Sequence, residues 1–217
     1  MQENFARKAR AKAPRPPRTL RVSCVIPSSR SLLKAAALLV ALDVDPASAQ
    51  DDPFSDTRDG GKLHTASGFL CPSKVGLFER DAVGEAEPTA GADFCAYSAL
   101  DGVYGTVKLT LLDGPYNAPV SLAPEFIEEE GTGAKRIAEG MISLPVAAHG
   151  PPLAIYTRTY ETGKMEDRHY RVLFSGAQFK NWAVEATIEY VDPQDVAVES
   201  EFLRAVYAGA EKQISGR

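Results

Sequence analysis

The chain is poor in the residues on which most enzymatic and metal chemistry rests. Its 217 residues include three cysteines and three histidines. No C-x-x-C spacing joins the cysteines, which excludes a dithiol redox motif. His64, His149 and His169 lack a ligand spacing such as H-x₃-H, and a zinc site on Cys71 and Cys95 would need two further ligands. G-x-S-x-G, H-E-x-x-H and the Walker loop G-x-x-x-x-G-K-[ST] are all absent. No metal, cofactor or catalytic constellation is therefore expected. Long apolar runs are missing too. The longest near the N-terminus, Ala35–Leu42, falls far short of the ~20 residues a spanning helix needs.

That run fits an export signal, which requires a basic segment, a short apolar run and a small-residue cleavage site. Arg21, Arg30 and Lys34 supply the charge, and Ala47-Ser48-Ala49 the site, leaving a mature chain from Gln50. The alternative, a buried helix, suits Leu32, Leu33, Leu38, Leu39 and Leu42 but not Pro46 or the small residues after it. Charge changes at the same place. Before Gln50 stand nine Lys/Arg and three Asp/Glu, net +6; from Gln50 onward fifteen and twenty-six, net −11. Residues 1–20, basic and apolar-poor, read as a disordered leader of the kind a start assigned too far upstream would produce, with the signal itself expected to begin nearer Val22 or Val25. The expected organisation is leader 1–20, signal peptide 21–49, flexible tether 50–67 and a single domain 68–217. The expected location is the periplasm or the outside of the cell.

An even pair of cysteines in an exported chain is most simply a disulfide. Cys24 leaves with the signal, and no apolar run precedes it to make it a lipid-attachment site. Cys71 and Cys95 remain, and a bridge between them would contribute about 3 kcal/mol through chain entropy.

From Gly68 onward the periodicity is that of a sheet with helices. Strands are expected at Val75–Arg80, Asp93–Ala99, Val103–Leu112, Leu153–Tyr160, Arg168–Phe174 and Trp182–Val191. The last alternates most clearly, with Trp182, Val184, Ala186, Ile188 and Tyr190 on one face and Glu185 and Glu189 on the other. Residues 121–142 read as two short helices divided at Gly131-Thr132-Gly133, the second placing Ile137 and Met141 four apart. Asp192-Pro193-x-Asp195 caps a closing helix whose stripe is Phe202, Leu203, Val206, Tyr207, Ala210 and Ile214. The expected class is α+β: an antiparallel sheet of about six strands in the order β-β-β-α-β-β-β-α, with helices on one face.

The segment WAVEATIEYVDPQDVAVESEFLRAVYAGAEK, an alternating strand, an Asp/Pro turn and an aromatic-striped helix, resembles the PsbP-like fold. SGFLCPSKVGLFERD…DFCAYSALDGVYGTVKLTL is similar to exported proteobacterial proteins of no known function, with Arg80, Tyr97 and Val107–Leu111 in matching places. The resemblance implies an accessory or binding module in the cell envelope, and it carries over no catalytic residue.

Among candidate sites, Gly131–Arg136 (GTGAKR) at an expected helix start could hold a phosphate, but Glu128–Glu130 would repel it; a break between helices is the default reading. The best ligand-binding candidate is the polar face of the second half-sheet: Tyr156, Arg158, His169, Arg171 and Glu185, with Tyr160 and Glu189 beside them. The rival reading is a solvated face of weak cross-strand pairs. The acidic balance disfavours nucleic acid as a partner. The expected function is a non-catalytic envelope module binding an unidentified protein. The alternative is a small-ligand binder using the Arg158 face, and less favoured is a hydrolase with His149 or His169 beside a serine and a carboxylate.

Overall fold

The computed structural model describes residues 52–87, 91–99, 102–146, 151–162, 169–192 and 196–216. The leader, the signal segment and His149 lie outside these described residues. In chain order the elements are β1 (Phe54–Asp56), β2 (Lys62–His64), β3 (Leu70–Cys71), β4 (Lys74–Val75), β5 (Phe78–Glu87), β6 (Ala92–Ala99) and β7 (Val103–Leu111). There follow α1 (Ala118–Ser121), α2 (Ala123–Gly131), β8 (Lys135–Leu144), β9 (Leu153–Glu161), β10 (His169–Phe179), β11 (Trp182–Asp192) and α3 (Val196–Ala210), which runs on into a π-helical turn, Glu211–Ser215.

Eight strands form one antiparallel sheet, ordered β4-β5-β6-β7-β11-β10-β9-β8, and β1-β2-β3 form a second, small one. The α+β class and antiparallel sheet stand; the described residues hold eleven strands rather than about six. The strongest alternation does what its pattern dictates. Trp182, Val184, Ala186, Ile188 and Tyr190 of β11 are buried against Phe202, Leu203, Val206, Tyr207 and Ala210 of α3, with Ile214 beyond. Burying each valine, leucine, isoleucine or phenylalanine among these contributes about 1.5–3 kcal/mol. Register Val107↔Ala186 joins the two halves of the sheet through β7 and β11.

Three expectations are corrected. Helices cover both faces, not one: Leu122, at the junction of α1 and α2, and Phe126 of α2 pack on Tyr156, Tyr160, Val172 and Phe174, so the face read as wet is largely dry. The segment AKRIAEGMI is strand, not helix. Gly140 sits at φ 153°, a conformation side chains rarely adopt, and β8 pairs with β9 from Lys135↔Glu161 to Leu144↔Leu153. Residues 52–67 are no tether, because Phe54 and His64 enter the core and carry β1 and β2 with them. Cys71 and Cys95 form the expected disulfide, joining β3 to β6. Among the described residues no helix is long and apolar enough to cross a membrane.

Candidate functional site

Alternation along β9 turns Tyr156, Arg158 and Tyr160 toward α2. There the Arg158 guanidinium lies 3.8 Å from the centre of the Phe126 ring. It donates through Nη2 to Glu139 Oε1 of β8 (2.6 Å), through Nε to Tyr156 Oη (3.1 Å) and through Nη1 to Tyr160 Oη (3.3 Å). Tyr156 donates in turn to Glu139 (2.7 Å) and Tyr160 to Glu130 (2.9 Å). Hydrogen bonds from Arg158 and Tyr156 hold the Glu139 carboxyl below its usual range. Arg158 is thus a committed cation, with its charge spent inside the fold.

A second network lies toward the sheet centre. Glu185 of β11, 2% exposed, faces Lys108 of β7, whose Nζ stands 2.8 Å from both Glu185 Oε2 and Glu125 Oε1. Burial works against the lysine's charge, but the two carboxylates outweigh it and hold its pKa above the ordinary value. Tyr116 completes the network by donating to Glu185 Oε1 (2.8 Å), and its backbone N–H donates to Gln178 Oε1 (3.0 Å). Burial, then the charge of Glu185, pushes the Tyr116 phenol well up. The ring fits only because residue 176 is glycine: a Cβ there would stand 2.0 Å from Tyr116 Oη.

Between these networks, α1 and the loop before it stand off from the ends of β8, β9 and β10, leaving a cleft of about 540 Å³. That lies within the ~300–1,000 Å³ of small-molecule sites. Tyr116, Asn117, Pro119, Glu139, Met141 and Tyr156 line it. The Asn117 carboxamide makes no hydrogen bond among the described residues, not even as the cap of α1.

The expected site residues are thereby divided. Tyr156 and Arg158 belong to the first cluster and Glu185 to the second network. His169 and Arg171 are on the opposite face, because register Val172↔Tyr160 puts Val172 on the α2 side and so turns its neighbour Arg171 toward α3. His169 Nδ1 is 3.4 Å from Glu161. The single platform expected from the sequence is therefore two faces. GTGAKR ends α2 and opens a strand, which removes the helix N-terminus a phosphate would need.

One constellation escaped the sequence. His64 is wholly buried between Phe54 and Trp182, with Nδ1 2.6 Å from Ser67 Oγ and Nε2 2.8 Å from Asp93 Oδ2. The order Ser–His–Asp is that of a hydrolase relay. However, Ser67 Oγ already accepts the Phe69 N–H (3.1 Å), and Nδ1 accepts the Ser67 N–H (3.3 Å). The imidazole has no exposed edge, so the chain of bonds ties the small sheet to β6. Its only sequence signal was the spacing of Phe54 and His64 within a polar stretch. No protein-family model matches the chain, and no curated protein matches it in sequence.

Proposed function

We propose that the protein is an exported, non-catalytic binding module whose working surface is the cleft between α1 and the β8–β9 end of the sheet. The observation that carries this reading is a concavity of ligand size whose charged neighbours are neutralised by one another, while Asn117 at its wall is uncommitted. Such a site suits an uncharged group with an apolar body against Met141 and Pro119 and a polar edge toward Asn117. Export is supported by the signal-like segment at 21–49 and by the Cys71–Cys95 bridge, since such bonds persist in oxidising compartments. An accessory role of the kind implied by the PsbP-like resemblance agrees with this. The test is methyl NMR of ¹³C-labelled methionine, read at Met141, against a panel of uncharged aromatic fragments such as benzamide and phenol. Saturable shifts that vanish in Ala154→Trp, which fills the cleft, are expected. A Met141 signal unmoved by every fragment, or moved equally in the variant, would refute the reading.

A further inference from the structure

β8 is the last strand of its sheet, and among the described residues nothing pairs with its outer side. From Lys135 to Ser143 it is exposed apart from half-buried Gly140, with Ile137 at 40%, Met141 at 65% and Ile142 at 39%. A bare edge invites another strand, and proteins that must avoid this guard their edges with charge, proline, bulges or a cover. On β8 the guards occupy only the first half: Lys135, Arg136, Glu139 and the irregularity between Arg136 and Ala138. Gly140–Leu144, GMISL, carries neither charge nor proline and pairs regularly with Thr157–Leu153. At the other end of the sheet, β4 covers the start of β5, and β5 itself carries Glu79, Arg80, Asp81 and Glu85. One edge of this sheet is defended along its length and the other is left open beside the cleft.

We infer that β8 takes an extended polypeptide segment of a partner protein as a ninth, antiparallel strand. This rests on the reading of the cleft as the binding surface. Met141 shares its face with Tyr156 and lines the cleft, so alternate side chains of the added strand fall against the cleft and against Ile142. Lys135 makes no ion pair among the described residues, although the charge of the chain from Gln50 onward is −11. It therefore selects an acidic residue at the C-terminal end of an antiparallel segment, over the start of β8. The same excess of negative charge opposes a second copy of this chain as the occupant.

The probe is a blocked peptide of alternating threonine and valine ending in Asp-Glu, with two versions N-methylated on either set of alternate residues. Binding is followed by fluorescence anisotropy, and amide exchange across 140–144 by NMR. The parent peptide should bind and slow exchange there. One methylated version should bind at least ~10-fold more weakly and the other should not, since only one set of N–H groups faces β8 and donates to its carbonyls. Lys135→Glu should weaken binding as well. Equal binding of all three peptides, no protection at 140–144, or edge amides already protected in a concentration-dependent dimer would each overturn the inference. If fragments still shift Met141 while no peptide binds, strand addition falls and the cleft reading survives. If the peptide protects β8 while fragments leave Met141 unmoved, the reverse holds.

Discussion

Replacing Gly176 with alanine should force Tyr116 out of its seat, because the new Cβ would lie 2.0 Å from the phenol oxygen and 3.0 Å from Cζ. The ring would have to withdraw, giving up its 2.8 Å hydrogen bond to the buried Glu185. Overpacking and a lost bond to a charged group together cost about 2–4 kcal/mol. For a domain of this size that is a fall in Tm of roughly 5–15 °C. The cycle with Tyr116→Phe separates the causes. The phenylalanine alone leaves Glu185 short of a donor, at about 1.5–3 kcal/mol. In that background the closest remaining atoms are ring carbons at 3.0 and 3.3 Å, which need move only a few tenths of an ångström. Gly176→Ala should then cost under about 1 kcal/mol, so the two changes couple by at least about 1 kcal/mol. Urea unfolding followed through the single, buried Trp182 measures all four proteins. An equal cost of Gly176→Ala in both backgrounds would refute the reasoning.

Three further outcomes are expected. His64→Ala should cost about 3–4 kcal/mol in the same unfolding assay, through lost packing and a stranded Asp93, and Ser67→Ala only about 1; equal costs would argue against the tie. Replacing Cys71 and Cys95 by alanine together should cost about 3.5 kcal/mol for a 24-residue separation, and reductant should then have no further effect on the variant's Tm. Burial raises the Glu189 carboxyl above its ordinary 4.5, so the folded chain holds that proton more tightly than the unfolded chain. Its contribution to stability is present below the ordinary value and lost as pH rises through the raised one. Glu189→Gln should accordingly raise Tm at neutral pH, with the gain shrinking toward pH 4.5, as thermal melts across that range would show. Glu139 has the opposite sign: its contribution is present above 4.5 and is lost as pH falls through its lowered value.

The central strands, the closing helix and the disulfide were legible because each is specified locally: β11 by strict alternation, α3 by a continuous stripe, Cys71 and Cys95 by elimination. The cleft was not, because it depends on pairings far apart in sequence. Glu185 looks solvated in its own strand and is buried only because Tyr116, Lys108 and α2 arrive above it. Arg158 and Arg171 look like neighbours until the register sets them on opposite faces. For β8, the four-residue spacing of Ile137 and Met141 favours helix; the observed strand follows from Gly140 and from pairing with β9, which tertiary context supplies.

The small sheet is stitched to the rest of the molecule at points remote in the chain. His64 reaches Asp93, Arg80 donates to the carbonyls of Gly60 and Cys71, and the Leu70 N–H meets Gln213 Oε1, 143 positions away. The first strands of the domain can therefore settle fully only once its last turn is free to meet them. In a chain delivered from its N-terminal end, the bond between Leu70 and Gln213 cannot form before residue 213 has arrived, so this seam cannot close ahead of the last turn.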